Sequence, residues 1–307
     1  MYGCPRLLLT VLLAISSVTP VFAEAPYRIG VLRGPTAVAF APMIHGSMRR
    51  VDGRAVEVVA YPDPPALIAA FIGREVDSAT LPSNAAAQLS GRGVGVEVAA
   101  AFIWGVLYLV GPAGTQLADL RGPVHSIGRG ASPDIILRYI LEQEGLTDRI
   151  RVEYGYAQVE LSQLMIAGRV NAGVLPEPFV TRVLRENPEL SIVADLQERF
   201  EAHADSGVPQ TVLVVRPGDP MAAGIAELLR DSVTDVLADE ERTGRLVAEL
   251  GIGLDEQTAR SSLPRLNLRV ESARESRPAL ERFYEILHDF EPASVGGQLP
   301  PPAFYGE

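Results

Sequence analysis

Residues 73–84 read Gly-Arg-Glu-Val-Asp-Ser-Ala-Thr-Leu-Pro-Ser-Asn, and residues 168–178 read Gly-Arg-Val-Asn-Ala-Gly-Val-Leu-Pro-Glu-Pro. Both begin with a glycine that stops a helix, continue as a short apolar strand and end in Leu-Pro. The segments around them match as well. Arg28–Leu32 is a strand ending in Arg33-Gly34-Pro35-Thr36, with a helix expected over Ala37–Arg50. Val56–Tyr61 is a strand ending in Pro62-Asp63-Pro64-Pro65, and Ala66–Ile72 is a helix. Further on, Val124–Ile127 ends in Gly128-Arg129-Gly130-Ala131-Ser132, a helix follows over Pro133–Glu144, and strand Val152–Tyr156 leads to helix Val159–Ala167. The offsets agree: Arg33 to Arg129 is 96, Tyr61 to Tyr156 is 95 and Pro82 to Pro176 is 94. The chain therefore repeats one alternating strand–helix pattern.

Such alternation with short turns implies parallel sheets covered by helices, and two copies imply two lobes. Ala99–Val110 is an apolar run expected to cross from one lobe to the other. Gln210–Val215 is a second crossing strand, so the second lobe is inserted in the first. The expected fold class is α/β, two doubly wound lobes joined by two crossover strands. Its units are lobe 1 over 24–108 and 210–307, and lobe 2 over 109–209. Helices are expected over Met221–Leu250, Asp255–Leu263 and Arg277–Phe290, followed by an irregular tail over Gly296–Pro301. Ligands of open α/β sheets bind beyond the carboxyl ends of the strands. The Gly- and Pro-rich turns all sit at such ends, so facing lobes make them line one shared cleft.

Composition narrows the chemistry. The chain has 307 residues, 47% hydrophobic, with a formal net charge of -11. That is enough for two modest cores, and an acidic surface disfavours nucleic acid as a partner. All 27 basic residues are arginine. Without lysine there is no Schiff base and no P-loop lysine. The four histidines, His45, His125, His203 and His288, form no metal-ligand spacing. There is no G-x-S-x-G elbow, and Gly128-x-Gly130 lacks the third glycine of a dinucleotide fingerprint. No catalytic residue, metal site or cofactor is expected. Residues 1–23 read as a secretory signal: Arg6, an apolar run over Leu7–Val18, and Val21-Phe22-Ala23 as a small-residue cleavage site. Export to the periplasm with cleavage after Ala23 is expected. Cys4, the only cysteine, precedes the apolar run and allows no disulfide in the mature chain.

The order and spacing of Leu81-Pro82-Ser83-Asn84, Gly128-Arg129-Gly130-Ala131-Ser132-Pro133-Asp134, Leu175-Pro176-Glu177-Pro178-Phe179 and the terminal Gly-Gly-x-Leu-Pro before Phe304-Tyr305 resemble the type II periplasmic solute-binding proteins of ABC importers. Within them the chain resembles the nitrate-, sulfonate-, taurine- and thiamine-precursor-binding group. The resemblance spans nearly the whole mature chain and implies a monomer that closes on a small molecule and delivers it to an ABC permease in the inner membrane. Ligands of the sulfonate, nitrate, pyrimidine or aromatic acid class are implied. Enzymes of pyrimidine synthesis that resemble the fold use a lysine and a cysteine-rich metal site, and this chain has neither. A periplasmic sensor domain and an enzyme of precursor metabolism are the alternative readings. A cytoplasmic effector-binding domain is disfavoured by the export signal.

The candidate ligand-binding residues are Thr36, Asp63, Ser83, Asn84, Trp104, Arg129, Gly130, Ser132, Tyr156 and Glu177. Ser132 at a helix start, beside Gly128 and Gly130, offers backbone N–H groups to an anion that Arg129 grips; alternatively Ser132 simply caps its helix. Thr36 is the equivalent position in lobe 1. Ser83 and Asn84 are hydrogen-bonding groups or helix starters. Asp63 and Glu177 sit between prolines that hold them in place. Glu177 either meets a ligand donor or pairs with an arginine across the cleft. Trp104 stacks on a flat ligand or packs in the core, and Tyr156 ends a strand at the cleft.

Overall fold

The computed structural model describes residues 25–45, 49–251 and 254–306. The expected signal segment 1–23 and Cys4 lie outside the described residues. Among the described residues twelve strands divide between two sheets. The first sheet collects β1 (Tyr27–Leu32), β2 (Arg49–Val51), β3 (Arg54–Tyr61), β4 (Ser78–Pro82) and β5 (Glu97–Trp104). The second is built wholly from β6 (Leu107–Pro112), β7 (Pro123–His125), β8 (Arg151–Glu153), β9 (Gly173–Pro176) and β10 (Leu190–Asp195). The chain then returns to the first sheet with β11 (Pro209–Val215) and β12 (Leu268–Ser272).

The sheet orders are β12-β5-β11-β4-β1-β3-β2 and β10-β6-β9-β7-β8. In each sheet three adjacent strands run parallel: β4, β1 and β3 in one, β9, β7 and β8 in the other. The crossing strands add antiparallel pairs, β11 with β4 and β5, and β6 with β9 and β10. The sheets are thus mixed rather than purely parallel. The reason is that each crossover strand enters its sheet from the opposite end.

The helices are α1 (Pro35–Ala39), α2 (Ala41–Ile44), α3 (Pro64–Ile72), α4 (Ser83–Gly91), α5 (Ser132–Gln143), α6 (Gln158–Ile166), α7 (Phe179–Glu186) and α8 (Leu196–Ala204), then α9 (Ala222–Ala238), α10 (Glu240–Glu249), α11 (Glu256–Ser262) and α12 (Ala273–Phe290). Local chemistry explains their ends. Asp63 caps α3 by accepting from the Ala66 N–H at 2.9 Å, prolines occupy the first turn and Gly73 closes the helix. Ser272 and Glu275 form a capping box at α12.

Three expectations need correction. The helix over Ala37–Arg50 is two short helices and a strand: Pro42 falls in the first turn of α2, where its missing N–H is tolerated, and β2 pairs antiparallel with β3. The run Ala99–Val110 is two strands, because Gly105 and Val106 both take positive φ, 79° and 72°, and turn the chain from one sheet to the other. Met221–Leu250 is α9 and α10, broken where Asp239 goes extended and caps the next helix. The tail over 296–301 is irregular as expected, and Phe304 and Tyr305 just beyond it are buried.

One apolar core runs through both lobes, and a smaller one, including Leu161, Met165, Leu175 and Val180, fills the far side of the second sheet. A row of rings from Tyr139 and Phe200 of the second lobe through Phe283, Tyr284 and Phe304 to Tyr305 ties the lobes together, each neighbour within 6.2 Å.

Candidate functional site: a cleft between the lobes

A cleft of about 690 Å³ opens between the lobes, at the carboxyl ends of the parallel strands. The first lobe contributes the turn after β1, Leu32 to Thr36, the turn after β3, Pro62 to Pro64, and Pro82 at the end of β4. Ile103, Gln210 and Thr211 come from the crossing strands β5 and β11. The second lobe contributes Ala157 to Val159 at the start of α6, and Pro176, Pro178, Phe179 and Arg182 around the start of α7, while Val106 comes from the turn between β5 and β6 and Leu254 from the segment before α11. Gly34 makes the first turn possible, since its φ of 95° is a conformation other residues rarely take. Six of the lining residues are prolines, which hold these turns in shape before any ligand arrives.

The cleft walls are mostly apolar, with charge at a few points. Arg33 comes from one lobe and Arg182 from the other. Arg33 donates no side-chain hydrogen bond among the described residues, whereas Arg182 Nε donates to Glu186 at 3.0 Å. Gln210 presents a buried Oε1 with no hydrogen-bond partner. Thr36 Oγ1 donates to the Leu32 carbonyl at 2.7 Å, leaving its lone pairs to accept. Among the described residues, no group of three or more His, Cys, Asp or Glu is placed to hold a metal.

Of the residues singled out by sequence, Thr36 and Asp63 line the cleft. Ser83 and Asn84 follow Pro82 directly and are buried, and the Ser83 Oγ has no partner. Glu177 lies between the two cleft prolines, but its fully buried carboxylate accepts from Thr181 N–H at 3.0 Å, from the Thr181 hydroxyl at 2.9 Å and from Arg265. It takes the cross-lobe pairing left open above. Arg129, Gly130, Ser132 and Tyr156 are not among the lining residues. The Arg129 guanidinium stacks 4.4 Å over the Tyr154 ring, and Tyr156 packs against His125. Ser132 is the first residue inside α5, one place beyond the cap position, so its buried Oγ caps nothing and has no partner. Trp104 lies at the end of β5, buried, its Nε1 donating to the Arg269 carbonyl at 2.9 Å under the stacked Arg269 side chain. It packs at the hinge and does not reach the cleft. Arg33, Arg182, Gln158 and Gln210 are the cleft groups that the sequence reading missed. Arg33 alone had a signal, as the repeat partner of Arg129.

Polar contacts also bridge the lobes beside the cleft. Tyr108 donates to the Arg265 carbonyl at 3.0 Å, which places Arg265 over Glu177. Arg185 of α7 meets Asp255 and Thr258 of α11. The hydroxyl and N–H of Thr258, then Arg185, bring the Asp255 carboxyl down to about 2. Behind α5, the buried Asp134 accepts from Gly130 N–H at 2.7 Å and from Arg138, which also donates to Glu291 at 2.9 Å in the other lobe. Burial and the neighbouring Asp134 carboxylate push the Tyr154 phenol up to about 12.

Two α/β lobes, two crossings and a cleft at the strand ends define the type II periplasmic-binding-protein fold. The structure superposes on an ABC transporter protein from Parabacteroides distasonis with a TM-score of 0.84 and 31% identity, covering 92% of this chain and 99% of that one. The chain belongs to the solute-binding proteins of ABC transporters. The alkanesulfonate-binding protein SsuA from Xanthomonas axonopodis pv. citri, bound to MOPS, shares the fold at 17% identity and a TM-score of 0.67, covering 91% of this chain and 98% of that one. So does a putative nitrate transport protein from Thermoplasma volcanium, at 11% and 0.56, covering 87% and 93%. No protein-family model matches the sequence, and no curated protein does.

Proposed function

We propose that the protein works outside the inner membrane, captures a small organic solute between its lobes by hinge closure, and hands it to an ABC permease without chemically changing it. The carrying observation is the cleft itself, whose walls come from both lobes and whose arginines stand one on each, Arg33 and Arg182. A ligand that touches both lobes binds the closed form better and so shifts the population toward it. The closing units are 24–108 with 210–307, and 109–209. The second sheet starts at Leu107 and the return strand at Pro209, each within two residues of these bounds, which supports the division. A volume of about 690 Å³ falls in the usual range for an organic ligand. Among the described residues no helix is long and apolar enough to cross a membrane, which suits a periplasmic carrier.

Among the ligand classes, organic acids with an apolar body suit this lining: the two guanidiniums take the acid and the proline, isoleucine and phenylalanine walls take the body. The test is a thermal-shift screen of the protein against sulfonates, nitrate, pyrimidines and aromatic acids, repeated with Arg33→Ala and Arg182→Ala. A stabilising ligand whose effect weakens in both variants supports the reading. A ligand whose effect survives both removes the two-armed grip. Loss of the effect in Arg129→Ala alone would restore the 128–132 loop as the anion site.

A further inference from the structure

The helices of the second lobe meet the first lobe by two different chemistries. Apolar residues of α5 and α8 share one buried cluster with the first lobe, Ile140 and Phe200 joining Phe283 and Leu287 of α12. The rings of Tyr139 and Phe200 lie 5.2 Å apart, and those of Phe200 and Phe283 5.7 Å. Arg282 of α12 also donates to the Ala204 carbonyl at the end of α8, at 3.3 Å. Helices α6 and α7 bury their apolar residues elsewhere. Leu161, Met165, Val180 and Val183 belong to the other cluster, whose members all come from the second lobe. Parting α8 from α12 would bring buried rings into water. An apolar interface of that kind holds two domains in a fixed relation, whereas a polar one lets them move.

Helix α7 meets the first lobe through polar groups at two points. Its start is pinned beside the crossing: the Glu177 N–H donates to the Val106 carbonyl at 3.0 Å, and the Glu177 carboxylate accepts from Arg265. From Phe179 to Arg185 the helix rises about 9 Å, at about 1.5 Å per residue. There Arg185 donates to Asp255 at 3.2 Å, to the Thr258 hydroxyl, and to Gln257 at 3.3 Å. Asp255 is already oriented, since it caps α11 by accepting from Thr258 N–H at 2.9 Å. Helix α11 in turn is fixed to α10 of the first lobe, Arg260 pairing with Glu241 at 3.5 Å. The Arg185 and Asp255 side chains keep 38% and 62% of their exposure, so water replaces their contact at little cost. The contact stands at the edge of the cleft, because Arg182, one turn earlier on α7, and Leu254, one residue before Asp255, both line it. We propose that the lobes part on one side only: α5 and α8 stay on α12 while the far end of α7 leaves α11, and Arg185 with Asp255 and Thr258 is the clasp that opens the cleft and closes it again. That the clasp admits a solute rests on the cleft being the ligand site, as proposed above; the one-sided movement does not. A contact this exposed biases the closed form without locking it, as capture and release both require.

Double electron–electron resonance on the full folded protein tests this with no solute added. Spin labels go on exposed positions in a Cys4→Ser background: Glu189→Cys, just beyond α7, with Ser261→Cys on α11, and Ala202→Cys on α8 with Asp289→Cys on α12. The first pair should show a short distance and a longer one. Arg185→Ala should raise the ratio of longer to shorter about two- to fivefold, the range that loss of an exposed ion pair allows. Asp255→Asn keeps a residue that can cap α11 and should shift the ratio the same way by less. The second pair should keep one distance in the wild type and in both variants. Two distances across α8 and α12 would overturn the proposal, as would a ratio across α7 and α11 that Arg185→Ala leaves unchanged. The thermal-shift screen with Arg33→Ala and Arg182→Ala judges the cleft separately. If those variants keep a ligand's full effect while the distances behave as expected, the cleft reading falls and the one-sided opening stands.

Discussion

Replacing Arg265 by methionine isolates the contact that joins the lobes most deeply. Arg265 reaches Glu177, whose carboxylate is 0% exposed, while the arginine side chain itself keeps 33% of its exposure. Removing the cation leaves a buried carboxylate with only the two Thr181 hydrogen bonds. Breaking a fully buried pair costs about 3–5 kcal/mol; with one partner a third exposed, solvent takes up part of that, and about 2 kcal/mol is expected here. The neutral amide of Glu177→Gln still accepts from Thr181 and needs no cation. The double variant Arg265→Met/Glu177→Gln is therefore expected to recover about half of the Arg265→Met loss, about 1 kcal/mol, and so to cost less than the sum of the two single variants. Urea denaturation followed by circular dichroism measures the global cost. Trp104 fluorescence, from the single tryptophan at the hinge, shows whether the lobes separate first. If Arg265→Met lies within about 0.5 kcal/mol of wild type, or the double variant equals the sum of the singles, the pair does not hold the lobes as argued.

Other outcomes follow from the same geometry. Gly105→Ala should lower stability by about 2–3 kcal/mol, because the backbone holds a φ of 79° there and a Cβ would sit 2.5 Å from the Cβ of Gln197; an unchanged melting temperature refutes this. Asp255 has its carboxyl lowered from 3.8 to about 2, so its contribution is complete above about pH 4 and drains away as pH falls toward 2. Asp255→Asn should therefore show a shallower loss of stability across that window, and parallel curves would contradict it. Trp104→Phe removes the indole N–H bonded to the Arg269 carbonyl at 2.9 Å and should cost about 1 kcal/mol in denaturant titration, without changing ligand affinity. A lost affinity would put Trp104 at the cleft after all.

The two-sheet architecture was legible because glycine and proline mark both ends of each short strand, as in Gly73 to Pro82 and Gly168 to Pro176. The hairpin of β2 with β3 was hidden, since Arg49–Val51 has no alternating pattern and follows a stretch that reads as helix. The split at Gly105-Val106 was hidden too: an unbroken apolar run does not announce that a valine takes φ 72°. Within the site, strand-end position located Thr36 and Asp63 because local chain direction fixes both. It misplaced Arg129, whose guanidinium found the ring of Tyr154, 25 positions on. Arg265, the partner of Glu177, lies 88 residues away in sequence. Nothing local to either residue encodes that meeting; only the return of the C-terminal segment to the cleft brings it about.

Two exposed lining residues on opposite walls, Pro62 from the first lobe and Val159 from the second, permit the most direct test that one cleft serves both lobes. Calorimetric affinity for the most stabilising solute of the screen would be measured in Pro62→Trp and Val159→Trp. Each indole should fill the space from its own side, so binding should be lost in both variants while their melting temperatures stay near wild type. Wild-type affinity in both would contradict the account.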